Sequence, residues 1–303
     1  MKCLVTGGAG FIGSNLVDKL IDNGNEVVVI DNLSTGKEEN INSKAKFYRK
    51  DITQMRRNSD FTMFEGVDVV FHTAALARVQ PSIEDPVSYD KVNVGGTLQI
   101  LKACVDYNVK RFVFSSSSSV YGDIDEKDLP TSEETPLNPI SPYALHKLIG
   151  EQYCKLFSEI YNLETACLRY FNVYGNRMSL EGAYKLVIPI FTEQRLNGKP
   201  MTINGDGEQR RDFTYVDDVV DANIKCAEYP LELNGDIFNI GNGDSRSVNE
   251  IADMIGGDRK HLDPVIEPKA TLANNEKAKR ILKFNPSMDI EDWMPTWKKD
   301  MGL

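Results

Sequence analysis

The sequence predicts a doubly wound α/β fold, a parallel sheet with helices on both faces, carrying a smaller C-terminal α/β unit. Three observations predict it. Short apolar runs rich in Val and Ile alternate with helix-period stretches through the first half, the pattern of strands buried on both faces between crossover helices. A glycine cluster follows the first of these runs directly. After Asn172 the alternation loosens into short strands mixed with helices.

In chain order, residues 3–6, 27–30, 67–71, 112–114 and 165–168 read as buried strands. A helix over 11–23 is closed by Gly24, one long helix is expected from about 87 to 107, and another opens at Pro142. Beyond Asn172, strands are expected at 201–203 and 237–240, and helices at 188–197, 216–227, 248–255 and 275–282. The division that follows is a dinucleotide-binding domain over 1–171, rejoined by roughly 212–242, and a substrate domain built from 172–211 and 243–303. The five consecutive serines at 115–119 follow Arg-Phe-Val-Phe and precede Val-Tyr-Gly. They belong to a strand end rather than a linker.

Composition narrows the function classes. The 303 residues carry 35 basic and 45 acidic side chains, a formal charge of −10, which argues against a nucleic-acid or anionic-membrane binder. No apolar run approaches the roughly 20 residues of a membrane span, and the start MKCLVTGGAG lacks a secretory pattern. The five cysteines (Cys3, Cys104, Cys154, Cys167 and Cys226) include no CxxC pair, so buried reduced thiols and a cytoplasmic location are expected. His72, His146 and His261 show no metal-ligand spacing; no metal is expected.

Thr6-Gly7-Gly8-Ala9-Gly10-Phe11-Ile12-Gly13 lies between the first strand and the first helix. Gly7 permits a tight turn, Gly10 lets backbone approach a pyrophosphate, and Gly13 lets helix pack closely on strand. The helix that follows aims its first amides at the phosphates. Glycine spacing alone marks many ordinary turns; here an acid, Asp31, also stands eighteen residues beyond Gly13 at the tip of the second strand. A carboxylate there binds both hydroxyls of an adenosine ribose. Lys37 is the first cation after it, so nothing adjacent neutralises a 2′-phosphate, and the Rossmann-type site is expected to take NAD rather than NADP.

Ser141-Pro142-Tyr143-Ala144-Leu145-His146-Lys147 opens a helix, with Ser141 as N-cap and Pro142 at the first position. Tyr143 and Lys147 are then i and i+4 on one face. A phenol with a pKa near 10 is a poor base at neutral pH; a nearby ammonium and a cationic nicotinamide are expected to lower it. Ser117, at the end of the fifth strand, is placed to hydrogen-bond the same substrate hydroxyl. A Tyr-x-x-x-Lys by itself is common on solvated helices, and its weight comes from the glycine loop and the serine-rich strand end.

These motifs, with DNLSTG, HTAAL, Asn93, LRYFNVYG, GAYKLVIPIF, INGDGEQRRDFTYVDDV and IFNIGNGDSRSV, resemble in order the extended short-chain dehydrogenase/reductases over nearly the whole length. The likeness is greatest to the UDP-hexose and UDP-N-acetylhexosamine 4-epimerases. It implies that Ser117, Tyr143 and Lys147 are catalytic. It implies further that Gly7, Gly10, Phe11, Ile12, Gly13, Asp31, Asn32, Ser34, Thr35, Gly36, Asp51, Ile52, Ala74, Ala75, Asn93, Ser115, Tyr143, Lys147 and Tyr170 hold NAD. Ser117, Ser118, Ser119, Tyr143, Asn172, Val187, Arg211 and Glu267 would hold a UDP-sugar, and Thr271, a small residue, would wall the pocket for the sugar 2-substituent and admit an N-acetyl group. In relatives the long helix and the helix at Pro142 form a four-helix dimer interface, so a homodimer is implied.

Subfamilies separate on chemistry. Dehydratases and decarboxylases of this type carry a carboxylate between the Ser/Thr and the Val-Tyr-Gly, because elimination needs acid–base groups beyond C4. Here Ser118 and Ser119 stand there. What remains is reversible oxidation at C4, with Tyr143 taking the hydroxyl proton and no redox change accumulating. Arg211 reads either as a solvated charge or as a pyrophosphate clamp. The family's C-terminal arginine is replaced by Pro264, leaving Arg259, Lys260 or Lys269 to supply the charge. The alternatives are a UDP-glucuronate 4-epimerase, whose uronate Arg78 would meet, a nucleotide-sugar 4-ketoreductase, and a non-catalytic NAD sensor.

Overall fold

The computed structural model describes residues 1–56, 59–178, 186–265 and 268–303. The first half runs β1 (Lys2–Thr6), α1 (Phe11–Asp22), β2 (Glu26–Asp31), β3 (Lys46–Arg49) and β4 (Val69–His72). It continues through α2 (Val79–Glu84), α3 (Pro86–Asp90), a π-helical segment (Lys91–Gly96), α4 (Thr97–Asp106), β5 (Arg111–Ser117), α5 (Pro142–Tyr161) and β6 (Glu164–Tyr170). The second half holds β7 (Val173–Tyr174), α6 (Val187–Leu196), β8 (Met201–Asn204), β9 (Arg210–Asp212), β10 (Thr214–Tyr215), α7 (Val216–Glu228) and β11 (Asp236–Ile240). It closes with β12 (Ser245–Ser247), α8 (Val248–Ile255), β13 (Arg259–Leu262), α9 (Glu276–Leu282) and α10 (Ile290–Met301).

Seven strands form one parallel sheet in the order β11-β6-β5-β4-β1-β2-β3. The order reverses direction at β1, the switch point at which doubly wound sheets place their ligands. Apolar side chains cover both faces: Val5, Val29, Phe71 and Leu168 on one, Leu4, Val28, Val70 and Phe112 on the other. β11 reaches the sheet from late in the chain and lies beside β6, with Asn239 opposite Arg169. The smaller pairs β12-β9 and β13-β8 lie outside this sheet.

The expected long helix from 87 to 107 runs without a break from Pro86 to Asp106, but it carries a π-helical segment in its first half. Asp85 caps α3, accepting from Ser88 N, and Pro86 takes its first position. Six residues then wind as a π-helix before α4. The cause is visible at Asn93, whose side chain accepts from Leu76 N at 2.9 Å and donates to Leu76 O at 3.0 Å. Insertion of an extra residue into the helix is how such a detour is usually accommodated.

α5 approaches β5 closely because Gly150 faces Phe114: a Cβ there would stand 2.3 Å from the ring. Its N-terminus is capped twice, by Ser141 Oγ accepting from Ala144 N at 3.2 Å and by Ser82 Oγ, from α2, accepting from Tyr143 N at 3.1 Å. All five cysteines are buried and unbridged.

α10 escaped the sequence pattern, yet it closes the C-terminal unit. Trp293 and Trp297 stack at 5.1 Å, Trp293 meets Tyr174, and Trp297 Nε1 donates to Thr192 Oγ1 at 3.0 Å. Trp297→Ala is expected to cost about 3–5 kcal/mol in chemical denaturation. A variant that unfolds at the wild-type midpoint would show that α10 is peripheral.

Candidate active site

The glycine loop is shaped by contacts that leave no room for side chains. Gly7 sits at φ +71, and a Cβ on it would lie 2.7 Å from Ala74 N. A Cβ on Gly13 would lie 2.2 Å from Gly7 O. Gly10 is the N-cap of α1 and supplies no capping side chain, so the first amides of the helix carry no side-chain acceptor of its own. Asp31, at the C-terminal tip of β2, accepts from Ala9 N at 3.0 Å and Leu33 N at 2.8 Å. It holds the glycine loop and the next turn together, and its carboxylate has further lone pairs to offer a ribose.

The other expected cofactor residues gather around this crevice in two ways. Asn32 donates to Asp51 at 3.3 Å and accepts from Ser34 N. Burial alone would raise the Asp51 carboxyl, but hydrogen bonds from Thr53 and Asn32 hold it below its ordinary value. Gly36 touches Ala9 so closely that a Cβ would stand 2.9 Å from it, which folds the Ser34-Thr35-Gly36 turn over the loop. Ile52 is buried beneath Gly96. Ala74 and Ala75 lie on the loop after β4. Asn93 lies behind that loop: its amide oxygen and nitrogen each bond the Leu76 backbone, which ties the loop to the helix. Tyr170 is similarly committed, its hydroxyl shared with Ser115 Oγ at 3.0 Å and Asn223.

The chemistry-bearing residues converge at the ends of β5 and α5. Lys147 is 5% exposed and its Nζ donates to Ser115 O at 2.6 Å, standing 5.8 Å from the centre of the Tyr143 ring. Burial pulls its pKa down to about 8, with Glu151 opposing. Tyr143 is shifted in the other direction. Burial lifts its phenol above the ordinary value, and the Ser117 hydrogen bond and the Arg78 charge recover only part of this. The ammonium is aimed at a carbonyl rather than at the phenol oxygen. Ser117 caps the short turn over Ser118–Tyr121, accepting from Ser119 N at 3.2 Å. The Ser119 hydroxyl is buried without a hydrogen-bond partner among the described residues.

The second half contributes a separate cluster. Asn172 donates to Asp212 O at 3.0 Å and Thr271 Oγ1 at 3.2 Å, and Thr271 Oγ1 also accepts from Asp212 N. Thr271 is thus drawn to Asn172 and to the strand that bears Arg211, with its hydroxyl already engaged. Arg210 is held structurally by Glu250 at 3.1 Å and by Ser245. Arg211, half-buried beside it, donates to Arg210 O. Val187 opens α6. Glu267 lies outside the described residues. Of the three replacement cations, Arg259 pairs with Asp253, whereas Lys269 lies against β9, its carbonyl accepting from Arg210 N at 2.8 Å.

The site also contains groups the sequence reading missed. Ser116 Oγ donates to Glu151 at 2.5 Å, and Arg169 grips the same carboxylate with two bonds of 2.8 and 2.7 Å. Glu151 follows Lys147 by one helical turn on a face otherwise apolar, and that placement was the available signal.

The NAD dependent epimerase/dehydratase family matches residues 3–241. The UDP-glucose 4-epimerase of Mycolicibacterium smegmatis is 37% identical over 305 residues, covering 96% of each chain. Among solved structures, UDP-glucose 4-epimerase from Thermotoga maritima with UDP-glucose superposes with a TM-score of 0.90 at 38% identity, covering 99% of this chain and 100% of that one. UDP-N-acetylglucosamine 4-epimerase from Methanobrevibacter ruminantium M1, in complex with UDP-N-acetylmuramic acid, does so with 0.90 at 38%, covering 97% and 95%.

Gly13→Ala is expected to abolish retention of an adenine dinucleotide, read as the 260/280 nm absorbance ratio of purified protein, and to cost about 1–3 kcal/mol from overpacking. A variant with wild-type absorbance and melting would remove the loop from the site.

Proposed function

Since the chain belongs to the NAD-dependent epimerase/dehydratase family, we propose that it is a UDP-sugar 4-epimerase, acting on UDP-glucose/UDP-galactose, UDP-GlcNAc/UDP-GalNAc or both. The observation that carries the reading is Tyr143 at the mouth of α5, near enough to Ser117 for that hydroxyl to lower its pKa and backed by buried Lys147, in a chain whose glycine loop has no space for side chains. The cradle at Gly7, Gly10 and Gly13 and the carboxylate of Asp31 fit NAD. When bound, NAD supplies a two-electron acceptor at C4 that returns the electrons in the same turnover.

The chain's own residues supply the rest. Ser117 and Tyr143 hold the C4 hydroxyl, and Tyr143 takes its proton as C4 is oxidised. Lys147, an ammonium below pH about 8, places positive charge behind the phenol as it becomes a phenolate. The 4-keto sugar turns its other face before reduction, and Tyr143 gives the proton back, which inverts C4. Arg211 and Lys269 hold the diphosphate, Glu267 the uridine ribose, and Thr271 lies at the edge of the sugar pocket. Ser118 and Ser119 offer hydroxyls, not a carboxylate, so the keto sugar is not steered into elimination.

The same reading includes a homodimer in the cytoplasm. It is supported by exposed apolar side chains at Leu145, Leu156 and Ile160 on α5 and at Val79, Ile83 and Val87 beside it, and by five buried thiols. The charge of −10 supports a partner set without nucleic acid. Among the described residues no helix is long and apolar enough to cross a membrane.

One observation favours an anionic sugar as a further substrate: the Arg78 guanidinium acts electrostatically on Tyr143. Proton NMR with UDP-glucose, UDP-GlcNAc and UDP-glucuronate in parallel tests the whole reading. C4 inversion without added reductant is expected, and Tyr143→Phe should lose about 10²–10⁴-fold of the rate while keeping its fold. Stoichiometric NADPH consumption would instead identify a ketoreductase.

Arg211→Ala should weaken UDP and UDP-sugar together by about 2–5 kcal/mol in calorimetry, the cost of removing one partner from a desolvated charge pair. Unchanged UDP affinity would move the clamp to another cation.

A further inference from the structure

The least expected side chain near the site is Glu151. It is 1% exposed and its carboxylate is fully engaged. Oε1 accepts from Ser116 Oγ at 2.5 Å and Arg169 Nε at 2.8 Å, and Oε2 accepts from Arg169 Nη2 at 2.7 Å. Arg169 is itself 1% exposed, with its guanidinium 4.7 Å from the Tyr121 ring, and Tyr121 donates to Asn239 on β11 at 2.6 Å. An ion pair this deep is a poor way to gain stability, because removing two charges from water offsets most of their attraction. Its position points to another use.

Ser116 stands between Ser115, whose carbonyl holds Lys147, and Ser117, the candidate partner of the substrate hydroxyl. Tyr143, Lys147 and Glu151 are spaced by four on α5 and share one helix face. We propose that Glu151 is a positioning residue: its buried carboxylate sets a negative charge one helical turn beyond Lys147 and, through Ser116, fixes the strand end that carries Ser117.

The groups around Lys147 support a single dominant influence. From β4, His72 is bonded on both ring nitrogens and burial drives its pKa down to about 3, so it is neutral. From β6 come Cys167, whose thiol burial pushes well above its ordinary range, and Arg169, the cation that Glu151 already holds. From α5 come Tyr143, Cys154 and Glu151. Glu151 is the carboxylate among them and counters the burial that would strip Lys147 of its proton. A neutral amide in the same place would leave that burial unopposed.

The proposal rests on the epimerase reading only for what Lys147 is used for, so its test reads the lysine directly. With ¹³C-labelled lysine in the purified protein, and Lys147→Arg to assign the signal, the titration of Lys147 is followed by NMR. In the wild type it is expected near pH 8; in Glu151→Gln it should fall by about one pH unit or more. The alkaline limb of kcat/KM should move with it, while melting temperature reports the purely structural part. Should the single variant fail to fold, Glu151→Met with Arg169→Met removes both charges without leaving one unpaired and should shift the same signal the same way by less, because the lost Arg169 charge had repelled the ammonium. A Lys147 titration that stays at its wild-type midpoint in a folded variant overturns the proposal. If the titration shifts but the wild type turns over no UDP-sugar, the epimerase reading fails and the role of Glu151 stands.

Discussion

The bond from the Lys147 ammonium to the Ser115 carbonyl is the constraint on which the rest of the site depends. A charge 5% exposed is tolerated only where its donors are used, so α5 must lie close enough to β5 for Nζ to reach a strand carbonyl at 2.6 Å. Gly150 makes that approach possible by leaving space for Phe114. Once the helix is seated, Tyr143 hangs over Ser117, and Ser82 of α2 meets the first turn. The placing of Tyr143 near Ser117 is a by-product of satisfying one buried cation.

Much of the sheet was legible because strands buried on both faces read as plain apolar runs. β3 was not, since Lys-Phe-Tyr-Arg at the sheet edge mixes charge with half-buried rings. β13 is exposed along its length and carries no apolar signal at all. The motif residues were legible for a different reason: glycines that permit close approach and a Tyr-Lys pair at helical spacing are local facts. Ser116, Glu151 and Arg169 form a unit only after β5, α5 and β6 are assembled. In a sequence, a single Glu or Arg among apolar neighbours has no partner written beside it. The bond from the Lys147 ammonium to the Ser115 carbonyl is likewise not written beside Lys147 in the sequence.

The second half is organised around another buried carboxylate. Asp212 is fully buried and accepts from Asn242 N, Gly243 N and Ala273 N at 2.8 to 3.0 Å. It gathers two segments that are distant in the chain beside Arg211, and burial pushes its pKa up to about 6 despite those bonds. Thr271 and Asn172 then meet across its backbone. Asn172 and Thr271, 99 positions apart, become neighbours beside an acid that the sequence placed in no role.

The π-helical turn at Lys91–Gly96 has a consequence for how this chain tolerates change in length. An α-helix advances by about 100° per residue, so a helix with one residue too many must either bulge or rotate everything beyond it. Removing one residue other than Asn93 from this segment would let it relax into plain α-helix, at the cost of the two bonds between Asn93 and Leu76. Asn93 would then swing away from Leu76 and the loop behind the glycines would lose its clamp, while α4 kept its place on the sheet. The segment is therefore a spot where a single-codon deletion would leave the core intact and disarm the crevice.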